Sequence, residues 1–143
     1  MLIKQVSVFI ENKPGRLSEI TDVLAKAGID IRAFSIADTT DFGILRLIVN
    51  DPEKALNSLK ENMMTVSVTK VIGVRMKDAP GALNEVLHIL FDKGISVEYA
   101  YAFITRKKDN AYVILRVENN EEAIAILKDA GVTFLDPAEV YSI

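Results

Sequence analysis

The sequence predicts an α+β protein made of two tandem copies of one strand–helix–strand–strand–helix–strand unit, each an antiparallel sheet with its helices on one face. Three observations predict it. Glu11-Asn12-Lys13-Pro14-Gly15-Arg16-Leu17 returns as Lys77-Asp78-Ala79-Pro80-Gly81-Ala82-Leu83, displaced by 66 residues, and ten positions between residues 2 and 39 are identical at that offset. Beyond an insertion near residues 106–110 the offset is 68, which lays Asp51-Pro52-Glu53-Lys54-Ala55-Leu56 over Asn119-Asn120-Glu121-Glu122-Ala123-Ile124. Finally, strand-period and helix-period apolar patterns alternate in the same order in both copies. The copies divide as 1–69 and 70–143, with no Pro, Gly or Ser linker at Thr69-Lys70.

In the first copy Val6, Val8 and Ile10 alternate with Gln5, Ser7 and Phe9, which predicts a half-buried strand. The Pro14-Gly15 loop follows. Leu17, Ile20, Val23, Leu24 and Ala27 then recur at helical spacing, and Gly28 stands where a left-handed C-terminal residue is wanted. A second strand is expected over residues 30–37, a turn at Thr39-Thr40-Asp41, and a third strand over 44–49. Asp51 is a natural N-cap, with Pro52 at the first helical position; Ala55, Leu56 and Leu59 form that helix's buried stripe. A fourth strand is expected at 66–69. The second copy repeats the order with strand 71–76, helix 83–93, strands 95–103 and 111–117, helix 121–130 and a last strand around 140–143. This order is the ferredoxin-like, split βαβ unit. The two units are expected to join edge to edge into a continuous eight-stranded sheet, which would protect two sheet edges.

Composition narrows the chemistry. Half of the 143 residues are hydrophobic, enough for a packed core and too many for a disordered chain. A net charge of −3, from 17 basic and 20 acidic residues, gives no basic surplus for nucleic acid. No apolar run approaches the roughly 20 residues of a membrane span, and no signal-peptide pattern begins the chain. A cytoplasmic protein is expected. The absence of cysteine excludes disulfides, thiolate metal sites and Cys nucleophiles. The single histidine, His88, falls on the polar face of a helix, so no triad or His-rich metal site is built on it. No catalytic residue, metal ligand or cofactor is expected.

The Pro-Gly loops are the candidate site. A glycine beside a proline at a strand-to-helix turn brings backbone amides close to whatever lies above them. The N–H groups of Gly15, Arg16 and Leu17, and of Gly81, Ala82 and Leu83, are the first donors of new helices and suit a carboxylate. The alternative is a tight turn that only starts a helix.

A strand ending in Asn12-Lys13-Pro14-Gly15-Arg16-Leu17, a helix, and then Gly28-Ile29-Asp30-Ile31 resembles an ACT domain, a small amino-acid-sensing module. The second copy matches with Asp78-Ala79-Pro80-Gly81-Ala82-Leu83 and Gly94-Ile95-Ser96-Val97. The resemblance covers nearly all of both copies and implies a free-standing tandem pair without an attached enzyme. It implies binding of an L-amino acid at a module interface, a homodimer, and a partner enzyme of amino-acid metabolism. Carried over by position, Asn12 and Asp30, and Asp78 and Ser96, would hold the ligand's polar groups. Lys13 and Ala79 complete the loops. Asn12 and Asp78 have an alternative as Asx-type turns before proline. Ile10 and Met76 depart from the family pattern, being polar in some members, which leaves the ligand side chain open. Rival readings are a structural subunit without a ligand and an RNA-binding ferredoxin-like protein. For the latter, the Tyr99, Tyr101, Phe103 stripe is better read as packing or subunit interface, and Arg106-Lys107-Lys108 as a solvated hairpin turn.

Overall fold

The computed structural model describes residues 2–39, 41–103 and 108–142. Its elements run β1 (Leu2–Glu11), α1 (Arg16–Lys26), β2 (Ile31–Asp38), β3 (Phe42–Val49), α2 (Pro52–Glu61), β4 (Thr65–Lys77), α3 (Ala82–Asp92), β5 (Val97–Ala102), β6 (Asn110–Val117), α4 (Asn120–Asp129), β7 (Thr133–Phe134) and α5 (Pro137–Ser142). The chain forms two compact units. The N-unit holds Lys4–Lys70 with residues 140–142, and the C-unit holds Val71–Glu139 with residues 2–3. The chain passes from one to the other inside β4, so the two strands predicted on either side of Thr69-Lys70 are one.

Both units are antiparallel sheets with two helices on one face, the ferredoxin-like arrangement expected from the repeat. In the N-unit β3 lies between β2 and β1, with Val6 opposite Leu47 and Val8 opposite Leu45. In the C-unit β6 lies between β5 and β4, with Ile72 opposite Leu115 and Val74 opposite Val113. These side chains pack under the helices. Besides Ile29, the N-unit core gathers Val6, Val8, Ile20, Leu24, Leu45, Leu47, Val49, Ala55 and Leu59. Shifting those positions by 66 before the central hairpin and 68 after it gives the C-unit core: Ile72, Val74, Val86, Leu90, Val113, Leu115, Val117, Ala123 and Leu127. The repeat is therefore a repeat of core positions.

Local signals behave as their chemistry requires. Asp51 caps α2, its carboxylate accepting from Lys54 N–H at 3.1 Å, and Asn119 caps α4 through Glu122 N–H at the same distance. Gly28 and Gly94 adopt left-handed φ of 72° and 73° after their helices.

Two further expectations fail. Gln5, expected to face outward, is fully buried, and its amide donates to Ser7 Oγ at 3.1 Å. The outer sheet face of the N-unit is covered there, since Ala33 and Ile48 are buried and the Tyr141 hydroxyl of α5 accepts from Lys4 N–H at 2.9 Å. The strand expected around 140–143 is instead within helix α5. Asp136 and Pro137 start it: the Asp136 carboxylate accepts from Ala138 N–H at 2.9 Å, and proline suits the first helical position. The C-unit's last strand is the short β7, which pairs with Val74 and Arg75 of β4. Seven strands are formed among the described residues, against eight expected.

Candidate functional site

Each strand-to-helix junction is a tight turn closed the same way. Arg16 N–H donates to the Lys13 carbonyl at 3.3 Å, and Ala82 N–H to the Ala79 carbonyl at 3.2 Å. Proline at the second turn position and glycine at the third, with φ of 86° at Gly15 and 89° at Gly81, are what a type II turn demands. Of the amides expected to be open, those of Arg16 and Ala82 are thus used by the turn itself. Gly15 and Gly81 are also the N-caps of α1 and α3, and no cap side chain accepts a hydrogen bond there. The Leu17 and Leu83 amides that follow have no cap partner, and both side chains are exposed.

A cavity adjoins each turn. In the C-unit it has a volume of about 490 Å³ and is walled by Arg75, Met76 and Lys77 of β4, by Ala79, Pro80 and Ala82 of the turn, by Glu85, Val86 and Ile89 of α3, and by Asn110 and residues 130–133. In the N-unit it has a volume of about 310 Å³ between Phe9, Ile10 and Glu11, Arg16, Glu19 and Ile20, Phe42 and residues 63–65. Most of the two walls coincide when shifted by 66 or 68 residues.

Their electrostatics differ. In the N-unit Arg16 is 3.0 Å from Glu19 and 3.7 Å from Glu11, and Glu11 also meets Lys13 at 2.9 Å. The Lys13 hydrogen bond, then the Lys13 and Arg16 charges, hold the Glu11 carboxyl below the usual glutamate range. The hydrogen bond and charge of Glu19 lead in raising Arg16. In the C-unit Arg75 is paired with Glu139, at 3.0 and 3.1 Å, and stands over the Tyr112 ring.

The remaining site candidates are placed as follows. Asn12 and Asp78 are exposed, and their N–H groups donate to the carbonyls of Asp41 at 2.9 Å and Asp109 at 3.0 Å, pinning each loop to the neighbouring hairpin. Lys13 and Pro14 shape the first turn. Asp30 and Ser96 are exposed at the far ends of α1 and α3. Eleven residues of helix span roughly 16 Å, so neither residue reaches the turn of its own unit. Asp30 is engaged there by Arg32 at 2.8 Å and by the Asn50 side chain, which accepts from its N–H at 2.9 Å. Sequence reasoning missed Arg75, Lys77, Glu85 and Asn110. The signal was present for one of them, because Glu19 and Glu85 are identical at the repeat offset.

Other features carry less chemistry. Phe103 is buried edge-on against Tyr112, their ring centroids 6.2 Å apart, and half-buried Tyr99 stacks on Tyr101 at 6.5 Å. Residues 106–107 of the basic turn lie outside the described residues. His88 is exposed and edge-on to Phe91. Among the described residues no group of acidic or His side chains could hold a metal, and no helix is long and apolar enough to cross a membrane.

The family model described as "ACT domain pair" matches residues 1–143. A solved structure of a protein from Bacteroides thetaiotaomicron is 43% identical, with a TM-score of 0.93, covering 100% of this chain and 98% of that one. The regulatory subunit of aspartate kinase from Thermus thermophilus shares the fold at 17% identity and a TM-score of 0.66, covering 90% of this chain and 93% of that one. Its counterpart from Thermus flavus does so at 16% and 0.61, covering 90% and 92%. No curated protein matches the sequence.

Proposed function

The chain belongs to the ACT domain pair family, and from that premise we propose that it is a regulatory protein that binds an L-amino acid at its Pro-Gly turns and passes occupancy to a partner enzyme of amino-acid metabolism. One observation carries the reading: a cavity adjoins the turn in both units, at equivalent positions. Turn and helix start supply backbone donors for an α-carboxylate, and the apolar part of the walls leaves room for a side chain. Asp30 and Ser96 lie too far along their helices to serve the cavity of their own unit, so any ligand contact they make is with another module, of this chain or of a second copy in a homodimer.

Binding at such a cavity changes no bonds. It favours whichever conformation of the turn and helix holds the ligand better, and the partner reads that shift in population. A thermal-shift screen of the whole chain against the twenty amino acids tests the reading. A ligand present at 100 times its Kd stabilises by about 2.7 kcal/mol, so one amino acid should raise the melting temperature by several degrees. No shift with any of them leaves the structural-subunit reading instead.

A further inference from the structure

We propose that the two cavities have different jobs: the C-unit cavity takes a zwitterionic ligand, whereas the acidic wall of the N-unit cavity is already neutralised by its own Arg16. The proposal rests on the reading that the Pro-Gly cavities bind a small molecule.

Three equivalent positions carry it. Residue 19 and residue 85 are both Glu, but Arg16 is matched by Ala82 and Glu11 by Lys77. In the N-unit the Arg16 guanidinium bridges the two carboxylates of its own cavity, at 3.0 and 3.7 Å. The acidic wall is satisfied from within, and Arg16 and Glu19 also wall a second cavity of about 380 Å³ beside Asp22, Val23 and residues 62–64. In the C-unit that side chain is a methyl group. One cavity of about 490 Å³ covers the equivalent positions, and among the described residues neither Glu85 nor Lys77 has an ion-pair partner. Arg75, on the same wall, is neutralised by Glu139 at 3.0 and 3.1 Å. Lys77 is therefore the available cation and Glu85 the available anion.

These two groups come from different elements, Lys77 from the end of β4 and Glu85 from the first turn of α3, and they form no ion pair with each other. A molecule with an ammonium and a carboxylate on one carbon can meet both, its carboxylate toward Lys77 and the α3 N-terminus and its ammonium toward Glu85. Met76, Ile89 and Val132 remain for the rest of the ligand. A plain carboxylate or a plain amine meets only one of the two charges. The N-unit offers such a molecule two carboxylates that already share a guanidinium.

The test is amide NMR on the whole chain, titrated singly with each of the twenty amino acids, with acetate and methylammonium as single-charge probes. The expected result is a saturable shift at Gly81 and Leu83 with at least one amino acid, and none at Gly15 and Leu17. Lys77→Ala and Glu85→Gln, both at exposed positions, should each weaken it about tenfold or more. The double variant Arg16→Ala/Glu11→Lys, which gives the N-unit the side chains of the C-unit, should add a saturable response at Gly15 and Leu17. Equal responses at both turns of the unaltered protein overturn the division and leave ligand binding intact. So does acetate reproducing the shift at the same midpoint, or unchanged affinity in both single variants. Silence at both turns with every amino acid withdraws the ligand-binding reading itself.

Discussion

Leu135 lies across Gly73. Its N–H donates to the Gly73 carbonyl at 2.9 Å, and its Cδ1 and Cβ stand 3.1 and 3.2 Å from where a Cβ on residue 73 would project, with Ile3 Cδ1 closer still. The glycine gives the segment after β7 room against β4; a Cβ at 73 would force the Ile3 and Leu135 side chains to shift. The matching N-unit position is Ser7. Gly73→Val should therefore cost about 1–3 kcal/mol through overpacking. Pairing it with Leu135→Ala should recover part of that loss. Urea unfolding measures both, and a Gly73→Val chain as stable as the unaltered one contradicts the contact.

Met63 and Gly131 stand one residue beyond the C-caps of α2 and α4, and both have positive φ, 63° and 81°. Glycine holds that conformation without strain, whereas methionine does not. Met63 is 92% exposed, so little packing is lost on its removal. Met63→Gly should stabilise the protein by about 0.5–1 kcal/mol, the left-handed strain it relieves exceeding the freedom it adds to the unfolded chain, and raise the melting temperature by a few degrees. A lower melting temperature would mean that the side chain does something exposure does not reveal.

The same contrast explains how much was readable. The core was legible because the burial pattern repeats residue for residue at the two offsets, so that Leu24 and Leu90, or Ala55 and Ala123, confirm each other. The helix caps at Asp51 and Asn119 were legible because they act locally. Asp136-Pro137 has the same local chemistry as Asp51-Pro52, but expecting a final strand from the repeat overrode it, and the result is α5. Gln5 was misplaced because burial of the outer face depends on segments distant in sequence. At the candidate site, the turns were visible in Pro14-Gly15 and Pro80-Gly81. Their use of the Arg16 and Ala82 amides was not, because turn closure and anion binding compete for the same N–H groups. Lys77 and Glu85 were hidden because no shared motif marks a wall contributed by both a strand and a helix.

The charge cluster of the first turn has a pH signature. Glu11 is depressed first by its hydrogen bond to Lys13 and then by the charges of Lys13 and Arg16. A carboxyl depressed by folding contributes stability above its unfolded pKa and loses it as pH falls through the folded value. The expected loss thus begins below the ordinary glutamate value, near pH 4.5, and continues downward. Carbon-detected NMR should find the Glu11 midpoint below that value, and Lys13→Ala should move it upward more than Arg16→Ala does. A midpoint unmoved by Lys13→Ala would show that the pair does not persist in solution.

Gly81 separates backbone strain from lack of space. A Cβ built there meets nothing within 4 Å, yet φ is 89°, a region L-residues avoid. Gly81→Ala should therefore destabilise the chain by about 1–2 kcal/mol, although the added methyl group clashes with nothing. A β-branched residue, stiffer at χ1, should cost more. A semisynthetic chain with D-alanine at 81 reverses the sign, because the D-residue favours positive φ and reduces the freedom of the unfolded chain. It should be at least as stable as the unaltered protein, by thermal unfolding of both. If the D- and L-alanine chains lose equal stability, the cost comes from a contact at the turn, and the type II geometry assigned to Ala79-Pro80-Gly81-Ala82 is not what holds α3 in place.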